Sequence, residues 1–454
     1  MSLVTVYITN YNYAEYIDNA VESVLNQTYN DIEILIIDDG STDNSLEIIE
    51  KYRSKPNIKI ISQKNKGLNV TNNIALNASN GEFIVRLDAD DWLDSNAIEI
   101  LVSNIERNPH IGLVFPDYYI VDKNGAIIEL VRRHDFTNVT LFDSPAHGAC
   151  TMVRKSFLQN LGGYNELYKC QDGVDLWLKF LGRHKIYNVN LPLFYYRQHG
   201  SNLTSNKGHI IETRSKILNS AASSIVHVER KVNAIVPIRG NVLDERSRPL
   251  DLLGKRRLID WTIYPLIECQ DISTIFIVSS DREVLDYGSL NFINTKVKVV
   301  ERPKDLSYLN VSISETIKYV LDKYQINISD KILQVSIDSP FRTAQIFSTI
   351  IDTMDVYNTD IVIPVFPDED IFYTHNGDTL QSIIPERDIK LKLEREDLYR
   401  EVGSMRLYRS RKFLNRKYEC IIGHVILDQI SSFKIKTQLD WNLAELMAAN
   451  SFKI

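Results

Sequence analysis

Two groups of carboxylates stand where short apolar runs end. Ile32–Ile37 leads into Asp38-Asp39-Gly40-Ser41-Thr42-Asp43, and Phe83–Leu87 leads into Asp88-Ala89-Asp90-Asp91. Carboxylates crowded at strand ends are costly unless hydrogen-bonded, solvated or paired with a cation. The Asp-x-Asp spacing of Asp88 and Asp90 aims two side chains the same way along an extended segment. Hard oxygen donors of this kind suit Mg²⁺ or Mn²⁺ bridging a diphosphate. A solvated acidic turn is the plain alternative for either group alone. Two such turns on strands of one sheet favour the cation site.

The elements that must position these groups are short. Leu3–Ile8, Ile32–Ile37, Ile58–Ser62 and Phe83–Leu87 have strand-like composition. Tyr16–Asn26, Ser45–Arg53 and Leu68–Ala78 between them carry apolar residues at helical spacing. Strand–helix alternation predicts a parallel α/β sheet, with ligands beyond the carboxyl ends of its strands. The same grammar restarts near Asn233. Ala234–Pro237, Thr274–Ser279, Val297–Val300, Ile332–Ile337 and Ile361–Pro364 are expected strands, and Leu258–Cys269 and Thr343–Met354 expected helices. A helix over His209–Val228 separates the halves, so the boundary is placed near residue 230.

Composition narrows the function. The chain has 454 residues, 44% hydrophobic and 24% charged, which is enough for two globular cores. A net charge of −7 gives no basic footprint for nucleic acid. No uncharged apolar run approaches a membrane span, and the N-terminal segment lacks the pattern of a signal peptide. Cys150, Cys170, Cys269 and Cys420 form no CxxC pair, which points to a reducing, cytoplasmic setting rather than a disulfide framework or zinc site.

Residues 1–205 resemble family 2 glycosyltransferases of the GT-A fold. The resemblance rests on Ile8-Thr9-Asn10-Tyr11-Asn12, Asp38-Asp39-Gly40-Ser41-Thr42-Asp43, Asn65-Lys66-Gly67, Asn80-Gly81-Glu82 and Leu87-Asp88-Ala89-Asp90-Asp91-Trp92. It continues through Gly162-Gly163-Tyr164-Asn165-Glu166, Gln171-Asp172-Gly173-Val174-Asp175-Leu176-Trp177 and Tyr196-Arg197-Gln198-His199. It implies that Thr9, Tyr11 and Asp39 hold the nucleoside, and that Asp88 and Asp90 bind the metal and diphosphate. Asp172 would be the general base that takes the acceptor hydroxyl's proton in an inverting transfer; the structural alternative is a helix cap. His199 would be a further metal ligand or a phosphate contact, with a purely structural histidine as the alternative. Three positions depart from the family pattern: Thr9 replaces a proline, Asn72 an arginine, and Gln171 a glutamate.

Residues 232–450 resemble, more loosely, cytidylyltransferases of the CMP-sialic acid synthetase type. The matching pieces include Ile235-Val236-Pro237-Ile238-Arg239-Gly240, Leu253-Gly254-Lys255, Asp338-Ser339-Pro340-Phe341-Arg342-Thr343, Arg395-Glu396-Asp397 and Asp440-Trp441-Asn442-Leu443-Ala444-Glu445. This implies a cytidine nucleotide, CTP above all, cradled by Arg239 and Gly240, with Arg246, Arg248 or Lys255 as phosphate cations. Lys434 and Lys436 stand where that family carries metal-binding aspartates, which leaves Asp338 as the candidate ligand for a second metal. Asp440 reads as a helix cap.

The expectation is therefore an α/β chain of two tandem Rossmann-like, GT-A type, nucleotide-diphospho-sugar-transferase-like domains joined by a helical linker. Residues 1–230 would be a metal-dependent inverting glycosyltransferase of surface polysaccharide or glycoconjugate synthesis, with a nucleotide-sugar donor, a glycan acceptor and Mg²⁺ or Mn²⁺. Residues 231–454 would activate an acidic sugar with CTP, or be a degenerate module that binds a nucleotide or acts as a scaffold. A place at the inner face of the membrane and homo-oligomerisation stay open.

Overall fold

The computed structural model describes residues 2–132, 148–199, 207–225, 231–240, 247–308, 310–327, 329–368, 370–375, 377–384, 398–414 and 420–449. Asn241, Arg246 and Arg395-Glu396-Asp397 lie outside them. Two compact units emerge, Met1–Ile217 and Leu218–Ile384 with Glu396–Ile454.

In the first unit the strands are β1 (Val4–Asn10), β2 (Ile32–Asp38), β3 (Ile58–Ser62), β4 (Phe83–Asp88), β5 (Trp92–Leu93), β6 (Ile111–Val121), β7 (Ile127–Val131), β8 (Met152–Arg154) and β9 (Lys185–Arg197). The helices are α1 (Ile17–Leu25), α2 (Ser45–Glu50), α3 (Leu68–Ala78), α4 (Ala97–Ile105), α5 (Lys155–Asn160) and α6 (Asp172–Phe180). The sheet order is β3-β2-β1-β4-β8-β6-β9-β5, with β7 on β6. Strands β3, β2, β1 and β4 are parallel, as the strand–helix alternation predicts. Strand β8 runs antiparallel to both β4 and β6, so the whole sheet is mixed.

β1 and β4 are buried almost throughout because both their faces are covered. Val4, Val6 and Ile8 of β1 pack with Ile17, Ala20, Val21 and Val24 of α1 and with Ile98, Leu101 and Val102 of α4. The spacing of those α1 residues gives one apolar stripe, and that stripe is the face that docks. Tyr7 points to the opposite face, with Leu76 of α3 and Leu176, Trp177 and Phe180 of α6. The chain steps outward from β1 to β2 and β3 and then returns past them to β4 on the other side of β1, so the strand order reverses between β1 and β4. A ligand crevice is expected beyond their carboxyl ends, where Thr9, Asn10 and Asp88 stand.

α7 (Lys207–Ile225) follows, and the division between units falls within it. The second unit has β10 (Val232–Pro237), β11 (Leu252–Leu253), β12 (Arg256–Arg257), β13 (Ile272–Ser279), β14 (Val297–Glu301), β15 (Lys331–Val335), β16 (Ile361–Asp368), β17 (Tyr373–His375), β18 (Leu380–Ser382), β19 (Leu398–Glu401), β20 (Met405–Arg409) and β21 (Ile422–Ile426). Its helices are α8 (Asp260–Glu268), α9 (Arg282–Asn291), α10 (Ile313–Tyr324), α11 (Ala344–Val356), α12 (Ser410–Leu414) and α13 (Gln438–Ala449). The main sheet runs β14-β13-β10-β15-β20-β16-β19, with β21 on β16. Its first four strands are parallel and β20 is antiparallel. The same two-faced burial recurs: Ala234 and Val236 pack with Phe347, Ile350 and Met354 of α11, and Ile235 packs with Ile317 and Val320 of α10.

Candidate active site

The carboxyl ends of β1, β2 and β4 gather the predicted acidic residues of the first unit. Asp38 is buried and accepts from Asn10 Nδ2 at 2.8 Å and Ser41 N at 3.0 Å. Those bonds close the turn that follows β2. Gly40 in that turn has φ +78°, and a Cβ there would lie 2.6 Å from the backbone nitrogen of Asn65. Only glycine fits. Asp39, also buried, accepts from Gln63 Nε2 at 2.7 Å and from the amides of Lys66 and Gly67, each at 2.8 Å. Both its oxygens thus fasten the loop into α3. Tyr11, just beyond the end of β1, is exposed.

Asp88 accepts from Thr9 Oγ1 at 2.8 Å and is ion-paired with Arg86 Nε at 3.1 Å. The same guanidinium binds Asp172 through Nη1. Asp172 is the first residue of α6, after Gln171 in the left-handed conformation with φ 61°. Gln171 is itself gripped by Arg214, whose Nη2 donates to Oε1 at 2.9 Å. Arg86 is 4% exposed. Burial alone would lower its pKa, but the charges of Asp172 and Asp88 win and raise it. The fit is tight: a Cβ on Gly148 would lie 2.3 Å from Asp172 Oδ2 and 2.9 Å from Arg86 Nη2.

Asp90 faces a different partner. Its Oδ2 lies 3.0 Å from His199 Nε2, and the imidazole stacks on Tyr16 and meets Tyr13 edge-on. Burial, then the charge of Asp88, pushes the Asp90 carboxyl up to about 6, against the pull of His199. Asp91, fully buried, is driven well above the usual carboxylate range by burial and by the charges of Asp90 and Asp88. Its Oδ1 accepts from the amide of Arg197 at 2.9 Å. Arg197 in turn donates Nε to the Asp90 carbonyl and lies over the rings of Tyr16 and Trp92.

Three carboxylates within four residues, two of them pushed towards protonation, form a site short of positive charge. That is the condition a cation relieves. Among the described residues, however, no three His, Cys, Asp or Glu side chains are grouped so as to hold a metal by themselves. Mg²⁺ sites commonly use one or two carboxylates and take the rest from substrate phosphates. Asp88 and Asp90 are the two carboxylates that fit that pattern, with His199 paired to Asp90 beside them.

Residues 5–162 match the sequence profile described as Glycosyl transferase family 2. A UDP-Glc:alpha-D-GlcNAc-diphosphoundecaprenol beta-1,3-glucosyltransferase of Escherichia coli is 30% identical over 238 residues, covering 50% of this chain and 90% of that protein. The chain belongs to glycosyl transferase family 2. An uncharacterized glycosyltransferase of Haemophilus influenzae is 31% identical over 223 residues, 46% of this chain and 69% of that one. A chondroitin synthase of Escherichia coli is 31% identical over 231 residues, 49% of this chain. The chain spans only 33% of the length of that synthase.

Sequence reasoning gave no role to Arg86, Gly148, Tyr13 or Tyr16 in this family 2 site. Arg86 had a signal: a charged residue inside an apolar strand is almost never fully buried unless paired. Gly148 had none, because its contacts are with residues far away in sequence. Asn72, where the family usually has an arginine, is fully buried and accepts from Tyr7 Oη at 3.1 Å.

The second unit distributes its predicted residues differently. Arg239 donates Nε to the Ser307 carbonyl at 3.0 Å and Nη2 to that of Tyr308 at 3.3 Å. Gly240 is pressed against Asp281, whose carboxylate caps α9 through the Glu283 amide. Arg248 lies over the Trp441 ring and 4.0 Å from Asp251. Lys255 lines a cleft together with Arg256, Arg257 and Asp260. Asp338 Oδ2 is 3.0 Å from Lys434 Nζ, so an ammonium already stands where a second metal was expected. Asp440 accepts from the amides of Lys436 and Thr437 at the start of α13, the capping role read from sequence. Among the described residues no helix is long and apolar enough to cross a membrane.

Proposed function

We propose that the first unit transfers a sugar, with inversion, from a nucleoside diphosphate sugar to a glycan hydroxyl in the assembly of a surface polysaccharide or glycoconjugate. The observation that carries this reading is the placement of Asp88 and Asp172 on one buried guanidinium, with Asp90 and His199 beside them. Thr9, Tyr11 and the loop fastened by Asp39 would wall the nucleoside. The Escherichia coli relative that uses UDP-Glc makes a uridine nucleotide the first choice of donor. Asp88 and Asp90 would hold Mg²⁺ or Mn²⁺ together with the donor's phosphates, with His199 as a further ligand or a phosphate contact. That cation would offset the charge gathering on the departing nucleoside diphosphate. Asp172 would accept the proton of the attacking hydroxyl, which is a weak nucleophile until that proton is drawn away. Arg86 would fix the direction of the Asp172 carboxylate while leaving its other oxygen to the acceptor.

For the second unit the Lys434–Asp338 pair favours a module without nucleotidyl transfer. Replacing carboxylates with lysines repels a divalent cation, and Arg239 is already spent on backbone carbonyls. Binding of a cytidine nucleotide without turnover remains part of this reading.

Calorimetry of the full chain with UDP, with and without MnCl₂, tests the proposal. Mn²⁺-dependent binding that is lost in Asp90→Ala is expected. Equal UDP affinity with and without metal, in both proteins, would overturn it.

A further inference from the structure

The second unit carries a cleft of about 470 Å³ lined by Leu252, Lys255, Arg256, Arg257, Asp260, Tyr264, Glu268 and Tyr287. It is built by the β11–β12 hairpin against α8 and α9. The hairpin is tight: Leu253 pairs with Arg256, and Gly254 at its turn has φ +63°. Three consecutive cations are thereby delivered to one wall in a chain of net charge −7.

Their fates differ. Arg257 is satisfied, since its Nη1 donates to the Leu250 carbonyl and its guanidinium lies 5.2 Å over Tyr287. Asp260 is satisfied too. Its oxygens accept from Tyr287 Oη at 3.0 Å and from the Arg257 amide at 3.2 Å. The Arg256 guanidinium is held on ring faces, 5.8 Å over Trp261 and 5.6 Å over Tyr264, and makes no hydrogen bond among the described residues. Lys255 beside it has no carboxylate partner among them either. A guanidinium positioned by aromatic faces with its donors unspent is set up for a two-oxygen anion. Lys255 adds a second positive charge. Glu268, and the exposed ring of Tyr264, offer a hydroxyl acceptor and an apolar face, the other two features a sugar ring uses.

We propose that this cleft binds an anionic sugar, its phosphate or carboxylate on Arg256 and Lys255 and its ring against Tyr264. The volume lies within the ordinary range for small-molecule sites, roughly 300–1,000 Å³. The proposal is independent of metal-dependent transfer in the first unit.

The test is calorimetry of the full chain with glucose 6-phosphate, glucuronate, inorganic phosphate and glucose, repeated on Lys255→Ala/Arg256→Ala. Both substituted residues are exposed and outside the cores, so the variant should fold, which its melting temperature checks. Glucose 6-phosphate or glucuronate should bind at least tenfold more tightly than glucose, and the double variant should lose at least tenfold of that affinity. UDP binding in the presence of MnCl₂ should be unchanged. Whichever of the two sugars binds more tightly assigns the anion. No binding of either, or affinity untouched by the double variant, would overturn the proposal. Inorganic phosphate binding as tightly as glucose 6-phosphate would overturn the sugar assignment.

Discussion

Arg86 Nη1 binds Asp172 while Nε of the same guanidinium lies 3.1 Å from Asp88. One buried cation thus ties a strand-end carboxylate on β4 to the first residue of α6. Removing one partner of a buried ion pair leaves an uncompensated charge, a cost of about 3–5 kcal/mol. Arg86→Met should lower the unfolding free energy of the first unit by that much, and Arg86→Lys by less. Denaturant unfolding of the full chain measures both. A loss below about 1 kcal/mol in Arg86→Met would mean that the two carboxylates do not depend on it.

Asp172→Asn preserves the shape of the side chain and much of its bonding to Arg86, but it cannot accept a proton. Donor binding should stay within a few-fold of normal, while turnover at saturating donor should fall by about 10² to 10⁴. Loss of donor binding with retained turnover would make Asp172 a binding residue instead.

The carboxyl of Asp90 is pushed up to about 6 by burial and by Asp88. A carboxyl whose pKa is higher in the folded than in the unfolded chain binds its proton more readily when folded, so stability rises as pH falls through that range. In chelator, the melting temperature of the parent chain relative to Asp90→Asn should therefore rise between pH 7.5 and pH 5. At pH 7.5, MnCl₂ should raise the melting temperature of the parent and not of the variant. A flat difference at all pH values, with no response to Mn²⁺, would contradict this assignment.

Lys434 on Asp338 predicts that the second unit does not turn CTP over. The full chain, given CTP, Mg²⁺ and a panel of acidic sugars, should release no pyrophosphate, and Asp338→Ala should leave sugar transfer by the first unit unchanged. Steady pyrophosphate release abolished by Asp338→Ala would restore the bifunctional reading.

The parallel strands and the acidic turns were legible because both obey local rules. An apolar run of strand length ending in carboxylates marks a strand end at a crevice, and β2 and β4 run as expected. β5 to β9 were not read: β5 and β8 have two and three residues, and β6 is broken by Pro116 and β9 by Asn188, Asn190 and Pro192, so they carry little periodic signal. The partners of the acidic residues were illegible for a different reason. Arg86–Asp172, Asp90–His199 and Asp338–Lys434 join positions 86, 109 and 96 residues apart. Sequence could say that each carboxylate needs a partner; only the fold says which one it has.

The most direct test of the account is turnover of a UDP-sugar panel by the full chain, in MnCl₂ and in EDTA, with Asp90→Ala in MnCl₂ alongside. The account predicts sugar transfer by the parent in MnCl₂, and a fall of about a thousandfold or more in EDTA and in the variant, because several kcal/mol of transition-state stabilisation are lost. Undiminished transfer in EDTA, or by Asp90→Ala, would contradict it.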